Sequence, residues 1–311
     1  MKKQIIATGF VLFSFMLPLK AIAANFDRVY VFGDSLSDVG NTFAVTAIPP
    51  SPPYFQGRFS NGPVWVEYLA SDLGLRSNQQ INFAFGGANT GSDNTLIPGL
   101  PGLLPGLQDQ INSFTTANRS ADPNALYIVW AGADDYLGGG VTNPTVPVNN
   151  LSAAVNSLSA VGAKNILVAN LPDLGKLPGT RGNSQTSAGL SALSSGHNSS
   201  LAATLNSLSQ KPGINIIPLD VNSLFNRAIA APGEFGFTNV TDACLSVRCA
   251  NPDNYLFWDA IHPTTAAHQL LGEVAFRALQ PQPVPEPSSE LGLVALGALG
   301  AARVLKRKQM C

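Results

Sequence analysis

The sequence is poor in the residues that build metal centres and disulfide frameworks. Its 311 residues include only three cysteines and three histidines. Cys244 and Cys249 are close enough in the sequence to close a small loop in an oxidising compartment. A zinc site is the competing interpretation, but two thiols without a second pair or nearby histidines form a poor ligand set. The composition therefore indicates neither a metal ion nor another cofactor.

Charged residues are also scarce, at 12% of the chain. Seven of the 18 basic residues lie in the terminal segments 1–24 and 281–311, so the body between them is acidic. Because proteins that bind nucleic acid present basic surfaces to the phosphates, we expect no nucleic-acid partner.

Neither end of the chain contains an apolar run of the length, about 20 residues, that a stable membrane span needs. Segment 1–24 begins with Lys2 and Lys3, continues into a short apolar stretch and ends in an Ala-x-Ala arrangement. This pattern is typical of an export signal that signal peptidase removes. An uncleaved N-terminal anchor is the alternative.

Segment 281–311 begins as a Pro-rich linker with a Pro-Glu-Pro triplet, continues into an apolar stretch at 291–305 and ends in a basic cluster. Positive charge stops transfer and remains in the cytoplasm. This layout resembles the PEP-CTERM sorting tail of bacterial envelope proteins. The resemblance implies removal by an exosortase, transient membrane association through the tail, and a final place in the periplasm, the outer envelope or outside the cell. A plain tail anchor is the alternative.

Between these segments, short apolar runs alternate with longer amphipathic ones. Five runs rich in β-branched and aromatic residues predict strands buried on both faces: RVYVF (28–32), INFAF (81–85), ALYIVW (125–130), NILVAN (165–170) and INIIPL (214–219). Segments with apolar residues every three or four positions predict helices at 64–73, 149–162, 189–208 and 264–279. The order predicts one three-layer α/β/α domain over 25–280, with a mostly parallel, flavodoxin-like sheet of about five strands and a site at the carboxyl ends of the strands.

Ser35 follows the first predicted strand, in VFGDSLSDVGN. At that place a following helix offers unpaired backbone N–H groups, so the serine could attack a carbonyl whose negative charge they meet. Ser and Asp also favour turns and helix N-caps, which is the structural alternative. A nucleophilic serine needs a base.

His262 is the best candidate for that base. Asp259 lies three residues before it and Pro263 directly after it, which predicts a loop that leads into a helix. A carboxylate at this spacing can bind the imidazole Nδ1–H and leave Nε2 free to accept the serine proton. His268 fits a helix body as a packed or exposed residue, and His197 is predicted to be a solvated helix residue.

Four ordered blocks identify the chain as similar to the GDSL, or SGNH, family of serine esterases and lipases. They are FGDSLSDVGN, NFAFGGANT, VWAGADDY and DAIHPT. GRFSNGPVW and CANPDNYLFWD resemble the lipase-like branch of the family. The resemblance implies that Ser35 is the nucleophile, His262 the general base and acid, and Asp259 the residue that orients His262.

The same resemblance implies two backbone donors to the oxyanion, the N–H groups of Ser35 and Gly87. A residue without Cβ allows close approach of the backbone to a substrate. A tight turn after a strand is the other explanation for Gly87, and Gly86 is an alternative donor.

The third block departs from the family pattern, because Asp134 replaces the Asn whose amide donates to the oxyanion. An ionised carboxylate cannot donate a hydrogen bond and repels the charge. Three interpretations stay open: Asp134 is protonated and donates through its O–H, the two backbone donors act alone with weaker catalysis, or the protein is an inactive binder.

The motifs together predict an exported carboxylic ester hydrolase that acts on lipid, short-chain or glycan acetyl esters through an acyl-serine intermediate. Loops at 43–56 and 96–107, rich in Pro, Leu and Phe, are typical of lids over an apolar acyl group, or of packed surface. Acyl transfer to an alcohol and binding of glycan or lipid without catalysis are the alternatives.

Overall fold

The central sheet of the computed structural model contains five parallel strands. The structure describes residues 26–97, 100 and 102–280, and the strands of this sheet are β1 (Val29–Gly33), β2 (Gln80–Asn82), β3 (Leu126–Trp130), β4 (Asn165–Ala169) and β5 (Asn215–Leu219). Their spatial order is β2-β1-β3-β4-β5, and each neighbouring pair is parallel. The predicted α/β fold with a mostly parallel sheet of about five strands is confirmed.

Helices cover both faces of this sheet. In the described part of the chain the α-helices are α1 (Asn41–Thr46), α2 (Trp65–Asp72), α3 (Leu107–Ala117), α4 (Ala133–Leu137), α5 (Thr145–Ala160), α6 (Ser184–Ser209), α7 (Val221–Ala230), α8 (Cys244–Val247) and α9 (Thr265–Ala278). One core layer contains side chains of α2, α7 and α9, and the other contains side chains of α3, α5 and α6. The result is a three-layer sandwich.

The sequence of the central strands explains how both layers are filled. Successive side chains of a strand point to opposite faces. Along β1, Val29 and Val31 therefore belong to one core cluster, whereas Tyr30 and Phe32 belong to the other. Because both faces are covered, each of these positions is apolar, and the strand appears in the sequence as a continuous apolar run.

The two edge strands are less buried than predicted. The run INFAF predicted a strand over 81–85, but β2 ends at Asn82 and its residues are only partly buried. At the other edge β5 is partly exposed and contains Pro218, which an edge strand tolerates because one side of its ladder has no partner. An edge strand is shielded by one neighbour only, so the prediction of burial on both faces was wrong there.

A second, two-stranded sheet was not apparent from the sequence. β6 (Asn239–Ala243) and β7 (Tyr255–Phe257) pair in parallel, and a disulfide joins Cys244 to Cys249 between them. β6 has the sequence NVTDA, which lacks the apolar run of a core strand. The helices α3 and α7 were likewise not among the predicted segments.

The predicted export signal at 1–24 and the predicted linker and sorting segment at 281–311 lie outside the described residues. Over the part of the chain that the structure does describe, none of the helices has both the length and the apolar character that crossing a membrane requires.

Parallel pairing places candidate site residues from three of the sequence blocks at one edge of the sheet. Ser35 follows the end of β1, Gly87 lies beyond β2, and Asp134 follows β3. Because β1 is paired with both β2 and β3, the three carboxyl ends are neighbours, as a ligand site at the carboxyl edge of an α/β sheet requires.

Gly33, the last residue of β1, allows β1 and β3 to approach each other closely at this edge. A Cβ at this position would collide with the backbone carbonyl oxygen of Trp130 on β3. The Gln110 side chain from α3 accepts a hydrogen bond from the Gly33 N–H at 2.8 Å and donates one to its carbonyl oxygen at 2.9 Å. The end of β1 is therefore in close contact with Trp130 of β3 and is hydrogen-bonded to Gln110 of α3.

We expect Gly33→Ala to lower the free energy of unfolding by about 1–3 kcal/mol, because overpacking moves β1 away from β3. Urea denaturation measures the change. Gly189→Ala is the matched control, since Gly189 lies in α6 with no atom within 4 Å of a built Cβ. It should raise stability by about 0.5–1 kcal/mol. Equal stability of the two variants would contradict this account of Gly33.

Candidate active site

Ser35 lies in a tight turn directly after β1. The Asp34 carbonyl accepts a hydrogen bond from the Ser37 N–H at 3.1 Å, and Asp34 Oδ1 accepts one from the Leu36 N–H at 3.0 Å. The first helix begins only at Asn41, so the expectation of a helix N-terminus at Ser35 was wrong. The turn leaves the Ser35 N–H without a protein acceptor among the described residues.

The structure brings Ser35 and His262 together, although they are 227 positions apart. Ser35 Oγ lies 2.8 Å from His262 Nε2, and His262 Nδ1 lies 2.7 Å from Asp259 Oδ2. Asp259 Oδ1 accepts hydrogen bonds from the backbone N–H groups of Ile261 at 2.8 Å and His262 at 2.7 Å. One carboxylate therefore fixes both the loop and the ring that it carries.

Tyr54 is part of the site, and the sequence did not reveal it. Its hydroxyl donates to Asp259 Oδ2 at 2.7 Å, the same oxygen that His262 Nδ1 contacts. The residue lies after α1, in the segment 43–56 that was predicted as a lid or packed surface; its first residues are helical instead. The sequence around Tyr54 does not indicate this contact, because Asp259 is 205 positions away along the chain.

The loop that carries His262 is held by the segment before α2. Ser60 Oγ donates to the Pro263 carbonyl at 2.9 Å, and the Phe59 ring lies 5.1 Å from the His262 ring. Thr264 caps the N-terminus of α9 by accepting a hydrogen bond from the Ala267 N–H. GRFSNGPVW and DAIHPT, matched separately in the sequence, therefore form one packed unit.

His197 and His268 do not reach Ser35. His197 is fully buried and its Nδ1 lies 3.0 Å from the Tyr136 hydroxyl, so the prediction of a solvated helix residue was wrong. α6 places this residue against the turn at Gly132, a contact that its Ser- and Gly-rich sequence does not indicate. His268 is buried and accepts a hydrogen bond from the Trp65 N–H at 3.3 Å.

Burial keeps both of these rings neutral. It lowers the pKa of His197 to about 4. Burial, with a smaller contribution from the nearby charge of His262, lowers the pKa of His268 to about 3. Neither ring therefore carries a charge at neutral pH.

The peptide between Gly86 and Gly87 is oriented by its surroundings. The Gly86 N–H donates to Asp38 Oδ2 at 3.0 Å and to Thr42 Oγ1 at 2.7 Å. Asn94 Nδ2 donates to the Gly86 carbonyl at 2.9 Å. The N–H of a trans peptide points away from its carbonyl, so the Gly87 N–H is directed away from Asn94. It has no protein acceptor within the described residues, whereas the Gly86 N–H is occupied.

Gly87 occupies a conformation that other residues avoid. Its φ is 78°, and a Cβ there would lie 2.6 Å from the backbone nitrogen of Leu96. Both facts require glycine at this turn.

The two aspartates of the third block have different environments. Asp135 is buried and accepts hydrogen bonds from the Thr90 N–H at 2.9 Å and the Thr90 hydroxyl at 2.7 Å. It therefore connects the third block to the second. The Asp134 carboxyl accepts no hydrogen bond from the described residues and lines a cavity together with Ser35.

Charge and burial shift the pKa values of the acidic groups around Ser35. Burial raises the pKa of Asp134 to about 7, against the opposing effect of His262 and with a contribution from Asp135. Burial also raises the pKa of Asp34 well above its usual range, and the Asp134 charge adds to this. Asp34 Oδ2 is buried and has no hydrogen-bond partner among the described residues, which agrees with the upward direction of this shift.

The pKa values of His262 and Asp259 shift in opposite directions. Burial lowers the pKa of His262, but the Asp259 charge, their hydrogen bond and the Asp134 charge outweigh it, and the net shift is upward. Burial raises the pKa of Asp259, but the His262 charge and three hydrogen bonds hold it well below its usual range. Asp259 is therefore ionised, and His262 is poised to accept a proton.

Two family models match this chain. The family model for the GDSL-like lipase/acylhydrolase matches residues 29–275, and a PEP-CTERM protein-sorting motif matches residues 283–308. The second match indicates that the protein is exported and sorted to the cell envelope.

The chain is similar to individual relatives and to a solved structure. The chain is 30% identical to a phosphatidylcholine-sterol acyltransferase of Aeromonas hydrophila, over 83% of this chain and 91% of the relative. It is also 30% identical to the thermolabile hemolysin of Vibrio parahaemolyticus, over 79% of this chain and 62% of the relative. Among solved structures, a lipolytic G-D-S-L family member from Veillonella parvula has a TM-score of 0.48 at 15% identity, covering 80% of this chain and 96% of that one.

The family match covers most of the domain, and the Aeromonas relative aligns over most of both chains. The chain belongs to the GDSL-like lipase/acylhydrolase family of carboxylic ester hydrolases.

Proposed function

We propose that Ser35 is the nucleophile of this hydrolase, with His262 as general base and then general acid, and Asp259 as the group that orients His262. The observation that carries the proposal is the continuous contact from Ser35 Oγ to His262 Nε2 and from His262 Nδ1 to Asp259, at 2.8 and 2.7 Å. These distances are within the range in which a base takes the proton of a hydroxyl.

The reaction proceeds in two steps, formation of an acyl-serine and its hydrolysis. The Ser35 oxygen bonds to the ester carbon as its proton passes to His262 Nε2, and the ionised Asp259 stabilises the imidazolium. The C–O bond to the alcohol breaks, and the alcohol departs with that proton. Water then attacks the acyl-serine by the same route, releases the acid and restores the Ser35 hydroxyl.

Three donors face the developing oxyanion in this proposal. Two are the N–H groups of Ser35 and Gly87, which have no protein acceptor among the described residues. Gly86 is rejected as the second donor because Asp38 and Thr42 already bind its N–H. The third is the Asp134 carboxyl in its protonated form, which the raised pKa of about 7 makes accessible near neutral pH.

We place the enzyme in the periplasm, in the outer envelope or outside the cell. Signal peptidase would remove 1–24, and an exosortase-like enzyme would process 281–311 after transient membrane association. The sorting motif at 283–308 supports export and the processing of the C-terminal segment.

Acyl transfer is the second candidate, and the 30% identity to a protein named an acyltransferase favours it. It requires the same acyl-serine, which an alcohol then attacks in place of water. Mass spectrometry of the products formed with an added alcohol separates the two. A new ester indicates transfer, and free acid alone indicates hydrolysis.

Ser35→Ala should abolish labelling by a fluorophosphonate probe and lower the kcat for p-nitrophenyl esters by at least about 10³-fold, because the nucleophile is lost. In-gel fluorescence and ester hydrolysis measure the two effects. Ser37→Ala provides the neighbouring serine control and should keep the label. Labelling that persists in folded Ser35→Ala would refute the proposed nucleophile.

Asp134→Asn should keep or raise ester hydrolysis at neutral pH. Asp134 is a donor below its pKa of about 7 and an anion above it, so the wild-type rate should fall as the pH rises through 7, whereas the amide remains a donor. Loss of one such donor costs about 10²–10³-fold in kcat, so the rate of the variant relative to wild type should rise at least about tenfold between pH 6 and 9.

The same variant should also move the acid limb of the kcat/KM profile to lower pH, because the Asp134 charge raises the pKa of His262. A large fall in rate at all pH values, with the fold intact by circular dichroism, would count against the role of Asp134.

Tyr54→Phe should lower kcat/KM severalfold, by about 3- to 10-fold, since one hydrogen bond to a charged group is lost. Without the Tyr54 hydroxyl the Asp259 charge acts more fully on His262, raises its pKa and shifts the acid limb to higher pH. Tyr68→Phe is the control, because its hydroxyl contacts Thr265 at 2.7 Å and no member of the site. An acid limb that Tyr54→Phe leaves in place would exclude this coupling.

A further inference from the structure

The buried face of α6 contains polar side chains where the helix passes the carboxyl ends of β3 and β4. Buried residues recur along α6 every three or four positions, and they are Leu190, Ser194, His197, Leu201, Leu205 and Leu208. Ser194 Oγ accepts a hydrogen bond from the Leu174 N–H at 3.1 Å, in the loop after β4. His197, about one turn further along, contacts the turn after β3. α6 therefore supports two segments that line the mainly apolar cavity beside Ser35.

His197 contacts the third sequence block at two points. Its Nδ1 lies 3.0 Å from the Tyr136 hydroxyl, and the two rings are nearly perpendicular, with centroids 5.8 Å apart. A Cβ built on Gly132 would lie 2.9 Å from His197 Cε1, so the ring lies directly against the backbone of that turn. Gly132 is two residues before Asp134, and Tyr136 is two residues after it. His197 therefore contacts the chain on both sides of Asp134.

Packing alone does not account for an imidazole at this place. His197 is fully buried, and its Nε2 has no hydrogen-bond partner among the described residues. An unpartnered buried polar atom disfavours the folded state, whereas an aliphatic side chain of similar volume would fill the space without that cost. Burial lowers the pKa of His197 to about 4, so the ring adds no charge to the site at neutral pH. The contribution that is particular to the imidazole is the hydrogen bond at Nδ1.

The helix α4 depends on contacts with other segments to keep its place. It contains five residues, and so short a helix has little stability of its own. Asp135 accepts two hydrogen bonds from Thr90 of the second block, and Tyr136 is hydrogen-bonded to His197. The Asp134 carboxyl, in contrast, accepts no hydrogen bond from the described residues. Its direction is therefore set by the backbone of α4 and by the contacts that hold this helix.

We propose that His197 is a positioning residue, whose contacts with the third block hold α4 so that the Asp134 carboxyl is directed at the oxyanion. This inference rests on the proposed function of Ser35 and Asp134. An oxyanion donor acts only within hydrogen-bond distance of the oxygen, and a displacement of about 1 Å can cost about 10²-fold in rate. A side chain that does not touch the substrate can therefore control kcat.

His197 acts on Asp134 through geometry and not through charge. The charged groups that act on the pKa of Asp134 are His262 and Asp135, and the Asp134 charge in turn raises the pKa of Asp34. Burial raises the pKa of Tyr136 well above its usual range and lowers that of His197. Both partners of this hydrogen bond therefore stay neutral between pH 6 and 9.

The test compares kcat and KM for p-nitrophenyl butyrate in variants of the full chain. Tyr136→Phe removes the hydroxyl that meets His197 Nδ1 and should lower kcat by about 3- to 10-fold. His197→Leu also removes the contact with the turn and should lower kcat by about tenfold or more. KM should change by less than about twofold in both variants, because the lost interaction is one made in the transition state.

Tyr127→Phe is the matched control. It removes the hydroxyl of another buried tyrosine, which donates to the Asp122 carbonyl oxygen at 2.9 Å near the amino end of β3. This end of the strand is opposite to the edge that carries Ser35, so the variant should keep the kcat of wild type.

Three further readouts separate positioning from a general loss of structure. The fall in kcat should be present at pH 6, where Asp134 is a donor, and should shrink to less than about twofold at pH 9, where Asp134 is ionised. In an Asp134→Ala background, neither Tyr136→Phe nor His197→Leu should lower kcat further by more than about twofold. The double variant Tyr136→Phe/His197→Leu leaves neither polar group without a partner, so its urea midpoint should be close to that of wild type although kcat is reduced.

The outcomes distinguish this inference from the proposed function. Wild-type kcat in Tyr136→Phe would overturn the inference, and this variant decides the question if His197→Leu does not fold. A fall that is equal at pH 6 and 9 and adds in full to that of Asp134→Ala would also overturn it, as would an Asp134→Ala variant with wild-type kcat at pH 6. All three results leave the Ser35 nucleophile standing. If fluorophosphonate labelling of wild type does not depend on Ser35, both proposals are wrong.

Discussion

Close pairing of β1 with β2 on one side and β3 on the other is the constraint on which this site depends. The pairing with β3 requires Gly33, because any side chain there meets the Trp130 carbonyl. The strand end is fixed by two hydrogen bonds between Gly33 and Gln110, one in each direction. The pairing brings the segments that carry Ser35, Gly87 and Asp134 to one edge of the sheet, since each follows the carboxyl end of one of these strands. His262 comes to the same edge from outside the sheet, on the loop that leads into α9.

The acidic side chains near Ser35 have different functions because their hydrogen bonds and their burial differ. Asp259 receives hydrogen bonds from its own loop and from Tyr54, so it stays ionised although it is largely buried. Asp135 and Asp38 also accept several hydrogen bonds and connect one block of the site to another. Asp134 has no donor among the described residues, and burial therefore favours its protonated form. The same residue type thus serves as a fixed charge, as a structural connector and as a carboxyl group that is protonated near neutral pH.

Much of the fold follows from local pattern. The continuous apolar runs of β1, β3 and β4 predicted the central strands within a residue or two, because burial on both faces leaves no polar position. Edge strands were predicted less well: β2 is shorter and β5 more exposed than expected. The strands β6 and β7 left no signal, since a two-stranded sheet beside the core does not need a continuous apolar sequence. His197 was misplaced for a related reason, because small polar residues in α6 conceal which of its faces is covered.

The sequence by itself determined the order of the five central strands and of four of the helices, the family, and the spacing that lets Asp259 reach His262 within one loop, because these depend on neighbours along the chain. Only the tertiary structure decided that Ser35 contacts His262, that Tyr54 donates to Asp259, and that the cavity beside Ser35 is apolar. It also decided that, among the described residues, the Gly87 N–H has no acceptor whereas that of Gly86 has two. Each of these depends on contacts between distant segments. Such contacts are fixed by how the layers pack, and no local pattern of residues records them.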